Sequence, residues 1–417
     1  MFKRIPGTKD ILPDEIGRWH KIEEEARSIF SLYNYAEVRP PIIEDIALFN
    51  RSLGASTEIV QKQMFVIKNA SDTYVLRPEG TASVARAYLE NNLDKNQGLA
   101  KFYYLGPMFR LERPQKGRLR QFHHIGCEVI GSSSPLVDIE VISLADKLLR
   151  VFGIEGYRTQ INSLGCPKDK QAFTGLLTEA LKPKLSKLCA DCQERFKRNI
   201  LRILDCKNES CRKEVAGLNI KDSYLCQDCK DHANKVTAGL DALGVKFEVN
   251  PYLVRGLDYY TRTVFEIKHE ALGAQDAIGA GGRYDSLIKE LGGPDCGSMG
   301  FAFGMERLLL VSKCQGAQAS GKELIYLITL GESAQKEGLK ILNSLRESGI
   351  RCDTDYEGKS LKGALRQAND AGAGFVLILG DDELKKRVIT LKDMQQGLQQ
   401  EIALDNLTAE LKKKVGN

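Results

Sequence analysis

Two strand-length runs, Phe102 to Leu111 and Gln121 to Ile130, stand on either side of a short basic loop, and no other feature constrains the fold as much. Strands joined by so short a link must pair antiparallel, because a parallel neighbour needs a crossover of about a dozen residues or more. Side chains alternate along a strand. Arg110 and Glu112 are therefore expected on one face, and Phe122, His124 and Glu128 on one face of the return strand. The connecting loop carries Arg113, Lys116, Arg118 and Arg120. A plain solvated hairpin keeps its charges on the loop; this one also puts arginine, glutamate and histidine on the strands. Such a face offers guanidinium groups for a carboxylate or phosphate, a flat ring for stacking and a carboxylate for a cation.

Other strand-like runs surround the hairpin. Met64 to Lys68 and Thr73 to Arg77 precede it; Phe247 to Tyr252, Thr263 to Lys268 and Gly297 to Phe303 follow. Near the start, Ile16, Trp19, Ile22, Ala26, Ile29, Phe30 and Tyr33 recur at helical spacing, so they form one apolar face. That helix should end before Val38-Arg39-Pro40-Pro41, where the rings remove amide donors. At 417 residues the chain exceeds one ordinary core. A polar, glycine-containing stretch at 315–322 reads as a linker. Beyond it the pattern is strand (Leu324 to Leu330), helix (Ser333 to Glu347), strand (Arg351 to Asp355), helix (Leu361 to Ala371) and strand (Phe375 to Leu379), a small α/β unit. Antiparallel strands, separate helices and this unit together give an α+β class.

Composition closes off several alternatives. With 42% hydrophobic and 28% charged residues, the chain is globular rather than collagenous, coiled-coil or disordered. No apolar run approaches the ~18 residues of a membrane helix, and Met1-Phe2-Lys3-Arg4-Ile5 offers no secretory core, so the expectation is a cytoplasmic protein without membrane attachment. A net charge of +5 permits nucleic-acid binding only where cations are concentrated. The 11 cysteines are uneven: Cys189-x-x-Cys192, Cys206-x4-Cys211 and Cys226-x-x-Cys229 crowd a helix-biased stretch at 167–245. Two Cys-x-x-Cys knuckles suit a closed structural Zn²⁺ site of Cys189, Cys192, Cys226 and Cys229, with His232 as a spare ligand; reduced free thiols and, last, disulfides are the alternatives. Cys127, Cys166, Cys296, Cys314 and Cys352 are isolated and read as small apolar fillers.

Several motifs, in order, resemble the histidyl members of the class II aminoacyl-tRNA synthetases over essentially the whole chain. Pro6-Gly7-Thr8-Lys9-Asp10-Ile11-Leu12-Pro13 opens the series, and Pro41 matches the motif 1 proline. The Arg110-Leu111-Glu112 hairpin matches motif 2, and Gly300-Phe301-Ala302-Phe303-Gly304-Met305-Glu306-Arg307 matches motif 3. Leu253-Val254-Arg255-Gly256-Leu257-Asp258-Tyr259-Tyr260-Thr261 and Ala277-Ile278-Gly279-Ala280-Gly281-Gly282-Arg283-Tyr284-Asp285 are the stretches that set histidyl enzymes apart. The resemblance implies a class II catalytic core at 1–166 and 246–314, an insertion at 167–245 and an anticodon-binding domain at 323–417. It also implies a homodimer that joins L-histidine to tRNA(His) at the expense of ATP with Mg²⁺.

Activation by such an enzyme needs no general base, since the attacking carboxylate is already ionised; it needs positioning and cations around the phosphorus. Arg110 and Arg255 are the candidates at the α-phosphate, and in the family the arginine matching Arg255 takes a divalent ion's place. Phe122 and Arg307 would sandwich adenine, Gly300 and Gly304 would let the nucleotide approach the backbone, and Glu112 and Arg113 would face the phosphates and Mg²⁺. For the amino acid, the resemblance places Glu79, with Gly80 and Thr81, at the ammonium. Glu128 and Tyr260 would read the imidazole, and Tyr259 and Tyr284 would line the pocket. His124 stands where the family usually has glutamine. A protonated imidazole there would repel the ammonium, so histidine affinity should fall below about pH 6.5. Arg113, Gln115, Lys116 and Arg118 would meet the acceptor end of the tRNA. A regulatory relative without catalysis, a pure tRNA-binding protein and a sister enzyme for another amino acid are the competing readings.

Overall fold

The computed structural model describes residues 2–54, 57–69, 71–96, 98–115, 117–218, 222–314 and 323–415. The expected linker at 315–322 and the loop residue Lys116 lie outside the described residues. The chain divides between residues 316 and 317 into two compact units.

Among the described residues, the first unit contains β1 (Ala36–Glu37), β2 (Ile43–Asp45), β3 (Phe65–Lys68), β4 (Thr73–Leu76), β5 (Ala100–Phe109) and β6 (Gln121–Ile130). After them come β7 (Arg158–Ser163), β8 (Glu248–Val249), β9 (Thr261–Lys268), β10 (Ala277–Arg283) and β11 (Ser298–Gly304). Eight of these form one sheet in the order β1-β5-β6-β11-β10-β9-β7-β8, while β2, β4 and β3 form a small separate sheet. Pairing is antiparallel throughout the centre and parallel at the two edges, β1 on β5 and β7 on β8. The hairpin expected from sequence is β5 and β6, in register from Ala100 opposite Ile130 to Phe109 opposite Gln121. Between Phe247 and Tyr252, the expected strand shrinks to the two residues of β8.

Alternation along β6 divides the sheet into two faces. Ile125, Cys127 and Val129 pack into an apolar layer with Trp19, Ile22 and Phe30 of the helix Pro13–Leu32, and with Val141, Leu144 and Leu148 of the helix Pro135–Val151. The intervening residues, Phe122, His124, Gly126 and Glu128, look the other way. Gly126 is dictated by packing: a Cβ there would come within 2.6 Å of the Tyr104 ring and 2.8 Å of the Phe301 carbonyl. The stretch at 167–245 leaves the sheet after β7 and returns at β8. It has an apolar core of its own, built on Phe173, Leu177, Leu181, Ile200, Ile203 and Val215.

The second unit is a five-stranded sheet of β12 (Leu324–Thr329), β13 (Cys352–Thr354), β14 (Ala373–Leu379), β15 (Val388–Asp393) and β16 (Gln399–Ala403), in the order β13-β12-β14-β15-β16. The first three are parallel, as the strand–helix alternation requires. The hairpin β15–β16 is an addition that the sequence pattern did not suggest. Its outer positions are polar, so only Ile389, Leu391 and Ile402 mark its buried side. Several basic residues of this unit are paired with acids: Lys359 with Glu357 at 2.9 Å, Arg387 with Asp405 at 2.9 Å and Lys385 with Asp382 at 3.5 Å.

One ionic chain runs through the first unit. Arg283 and Asp138 are both fully buried and form a direct ion pair. Arg283 also donates to the Ser132 carbonyl at 2.5 Å and to Asp285 at 3.1 Å. The other oxygen of Asp138 lies 2.7 Å from His232 Nε2, and His232 Nδ1 is 3.1 Å from Arg262 Nη1. Because an arginine only donates, Nδ1 accepts and the ring proton sits on Nε2, toward Asp138. His232 is thus engaged and is not the spare metal ligand expected from sequence. Replacing Arg283 by Met strands the Asp138 charge in the interior, and the expected cost is about 3–5 kcal/mol. The drop should appear in the urea midpoint of the first unit, with the double variant R283M/D138L recovering most of it.

Candidate active site

A cavity of about 340 Å³ opens on the face of the sheet away from the two packed helices. Its wall brings together residues far apart in sequence. Arg110, Phe122 and His124 come from the hairpin, and Glu79 and Thr81 come from the start of the helix Thr81–Glu90. Arg255, Tyr259 and Tyr260 come from the segment before β9, Tyr284 follows β10, and Arg307 comes from the helix Met305–Val311. Arg110 and Arg255 therefore face one space.

Behind this wall, held by three of its side chains, lies Glu128, 1% exposed. Its carboxylate accepts from Tyr284 Oη at 2.5 Å, Thr81 Oγ1 at 2.7 Å and Tyr104 Oη at 3.3 Å. Burial pushes its pKa up to about 8, even though the hydroxyl donors pull the other way. Room for this carboxylate explains Gly300 on the neighbouring strand, where a Cβ would collide with Glu128 and the Cys127 carbonyl. The glycine expected to admit a nucleotide is thus required by the glutamate. Gly304 meets only ordinary contacts at 3.5 Å or more from Arg307. Tyr259 stands between Tyr260 and Tyr284, at centroid distances of 4.8 and 5.7 Å, and completes an aromatic wall.

Glu79 is 3% exposed and accepts from the amides of Thr81 at 2.7 Å and Ala82 at 2.8 Å, so it anchors the helix it precedes. Burial raises its pKa against those two donors. Gly80 is filled over by the Tyr104 ring. The cationic side is equally crowded. Arg110 donates to the Pro78 carbonyl at 2.9 Å, and its guanidinium carbon lies 5.4 Å from the Phe122 ring centre. Burial lowers its pKa, and the charge of Arg255 pushes the same way, although a guanidinium stays protonated. Arg255 is ion-paired with Glu266, and its Nε has no partner among the described residues. Arg307 donates to the carbonyls of Gly117 at 2.8 Å and Ala277 at 2.6 Å, tying the hairpin loop to β10.

His124 has a buried Nδ1 with no partner among the described residues. Burial, with Arg110 and Arg307 adding repulsion, pushes its pKa down to about 3. The expected loss of histidine affinity through protonation of this ring below pH 6.5 is therefore corrected: the ring is neutral throughout that range.

The loop residues separate. Glu112 lies beyond the end of β5, where its amide turns back to the Arg110 carbonyl at 2.8 Å, and it pairs with Arg118. Both line the cavity, whereas Arg113 and Gln115 are exposed and do not. Sequence reasoning gave no role to several groups that shape the site. Arg77, two residues before Glu79, donates to the carbonyls of Pro40 at 2.7 Å and Pro107 at 3.0 Å. Tyr104 sits opposite Gly126, so alternation along β5 could have placed it beside Glu128. Glu266 alternates toward the cavity in β9, and Glu306 accepts from the His123 amide at 3.0 Å.

The cysteines do not group as the linear knuckles suggest. Cys189 and Cys192 lie with Cys206 and Cys211, while Cys226 and Cys229 lie with Cys166 and Asp169. The four-cysteine set of Cys189, Cys192, Cys226 and Cys229 is not formed, and Cys166 is not an isolated filler. Spacing along the chain cannot say which knuckles meet; the helices between them decide it.

An antiparallel sheet presenting an arginine-lined cavity through a motif 2 hairpin and a motif 3 strand–helix unit defines the catalytic core of a class II aminoacyl-tRNA synthetase. Residues 7–308 match the histidyl-tRNA synthetase family and residues 324–414 match an anticodon-binding domain. The histidine–tRNA ligase of Thermodesulfovibrio yellowstonii is 45% identical over 414 residues, covering 99% of both chains. That of Desulfitobacterium hafniense is 46% identical over 408 residues, covering 97% of this chain and 96% of its own. The apo histidyl-tRNA synthetase of S. aureus superposes with a TM-score of 0.80 at 34% identity, over 99% of this chain and 100% of that one. The chain belongs to the histidyl-tRNA synthetase family.

Glu128 gives a test by pH. A carboxyl whose folded pKa lies near 8, against about 4.3 when unfolded, favours folding at low pH and loses that contribution as pH rises between the two values. The variant Glu128→Gln carries no such charge. Its Tm minus that of the parent should grow by about 5 °C or more between pH 6 and pH 9. A difference independent of pH would show that Glu128 titrates normally.

Proposed function

We infer that the protein is a histidine–tRNA ligase that forms histidyl-adenylate from L-histidine and ATP, then passes the histidyl group to the 3′ end of tRNA(His), releasing AMP and pyrophosphate. The observation that carries this reading is the sharing of one cavity by Arg110 and Arg255 with Thr81, Tyr104 and Tyr284, the three hydroxyl groups that hold the buried Glu128 behind its wall.

Glu79 takes the substrate ammonium, using lone pairs left over from its two amide donors, with Thr81 beside it. Glu128 and Tyr260 hold the imidazole nitrogens. A carboxyl poised near 8 can either accept from a ring N–H or, when protonated, donate to the bare nitrogen. The neutral His124, with a free ring nitrogen, accepts from the ammonium where glutamine is usual in the family. An amino acid without an imidazole would leave these buried groups unpaired, which is the costly form of rejection.

Adenine lies between Phe122 and Arg307, and the triphosphate runs toward Arg110 and Arg118. The Mg²⁺ that accompanies ATP would be held by Glu112 and Glu266, which line the cavity, and would neutralise part of the phosphate charge. As the substrate carboxylate attacks the α-phosphate and pyrophosphate leaves, Arg110 and Arg255 stabilise the charge on the non-bridging oxygens. Arg113 and Gln115, exposed on the loop, meet the tRNA acceptor end together with Lys116, and Arg118 extends from that loop into the cavity. In domain terms, residues 167–245 are an insertion and 323–417 bind the anticodon. The enzyme works in the cytoplasm, where its tRNA partner is used, as a homodimer. The exposed Ile43, Ile67 and Tyr74, which share one face of the small sheet, supply an apolar surface for the second subunit.

Histidine-dependent exchange of pyrophosphate into ATP tests the reaction. Exchange is expected with histidine alone, and exchange with another amino acid, or with none, overturns the reading. Arg255→Ala should lower the exchange kcat by roughly 10²–10³-fold with a smaller change in KM. His124 is tested separately. Since its ring is neutral, the parent and H124Q should show the same pH profile of histidine KM from pH 5.5 to 8. An inflection present only in the parent would mean that the ring titrates there.

A further inference from the structure

We propose that the insertion holds two structural zinc ions, one bound by Cys189, Cys192, Cys206 and Cys211, the other by Cys166, Asp169, Cys226 and Cys229. In each group the four ligand atoms all lie within 4.8 Å of one another. A tetrahedral ion with Zn–S bonds of about 2.3 Å needs sulfurs about 3.8 Å apart. Cys189 Sγ and Cys206 Sγ are 3.9 Å apart, too far for a disulfide, and every cysteine here is unbridged.

The first site is closed in the way structural zinc sites are. Cys192 and Cys211 are fully buried and Cys206 is 9% exposed. Cys189 caps the helix Ala190–Arg198, with Cys192 in its first turn, and the amide of Cys189 donates to Cys211 Sγ at 3.2 Å. An N–H directed at sulfur is the arrangement that supports a metal-bound thiolate. Arg195 is close enough to Cys192 and Cys206 to feel their charge, but one guanidinium cannot offset four thiolates, which leaves zinc as the natural counter-charge.

The second site stands on its own geometry. Cys166 caps the helix Pro167–Leu181 and Cys226 caps the helix Gln227–Ala242, with Cys229 in the first turn of the latter. Asp169 spans the two caps, accepting from Cys226 N at 3.0 Å and Cys166 N at 3.3 Å. Each oxygen keeps a lone pair for a metal, and three thiolates plus one carboxylate make a closed zinc set.

The domain also has need of such staples. Helices as short as Ala190–Arg198 and Glu209–Ala216 are marginal without help, and the apolar core beneath them is small. The first ion would fix the middle of the insertion; the second would clamp its two ends to each other.

Full-length protein purified without chelator should contain two equivalents of zinc by elemental analysis. C206S/C211S and C226S/C229S should each retain one, and Cys314→Ser both. Cobalt exchange of the unmutated protein should give thiolate charge-transfer and tetrahedral d–d bands, which does not depend on the variants folding. One equivalent in the parent, lost with C206S/C211S and untouched by C226S/C229S, overturns the second site; the converse overturns the first. Metal-free protein with titratable thiols or with disulfides overturns both.

Discussion

The buried pair of Arg283 and Asp138 is the constraint around which the first unit is organised. Neither charge could be tolerated alone in that position, so each fixes the other. Arg283 ends β10, at the back of the cavity wall, while Asp138 belongs to the helix Pro135–Val151 beneath the sheet. Through His232 the chain of charges continues into the helix that closes the insertion. Three regions distant in sequence are thereby set in one register, and the Tyr284 hydroxyl, one residue after Arg283, is delivered to Glu128.

The site gathers like charges and accepts the penalty. Arg110, Arg118, Arg255 and Arg307 line the same space, and burial together with mutual repulsion lowers Arg110, Arg118 and Arg307. Burial lowers Arg255 as well, but Glu266, Tyr260 and Asp205 together outweigh it. Without an anion this cluster is electrostatically frustrated, and a polyphosphate relieves it. The acidic side carries the mirror problem in Glu79 and Glu128, both raised by burial. An amino acid bears an ammonium for one and a ring for the other. Each half of the cavity is thus destabilised in the sense that its proposed substrate corrects, as preorganised binding requires.

What sequence made legible was local. Alternation placed Phe122, His124 and Glu128 on one face because β6 is a regular strand and nothing interrupts its period. Arg110 and Glu112 share the cavity, as the same rule expects, although both lie past the strand end where the backbone has already turned. His124 was placed correctly but given an ordinary pKa, since burial and the arginines around it come from other segments. Gly300 was visible as a glycine, yet its reason, the Glu128 carboxylate on the adjacent strand, is a cross-strand fact. Arg283 lay within a quoted motif, but its partner is 145 residues away. The cysteine knuckles show the limit most plainly: their spacing suggested that knuckles would cluster but not which of them come together.

The helix Gln227–Ala242 links these themes. Its first turn holds Cys226 and Cys229, its next turn holds His232, and Val236 and Leu240 further along pack against the sheet with Ile142 and Phe265. An α-helix of this length behaves as a rod, so displacing its start would shift the imidazole that caps Asp138. The insertion is consequently no loosely tethered appendage at this stem. The Asp169 carboxylate, joining the caps of the outgoing and returning helices, sets the same geometry from the other side. A displacement of the segment at this stem is transmitted first to a buried ion pair rather than to a flexible hinge, and from Arg283 to the tyrosine beside Glu128.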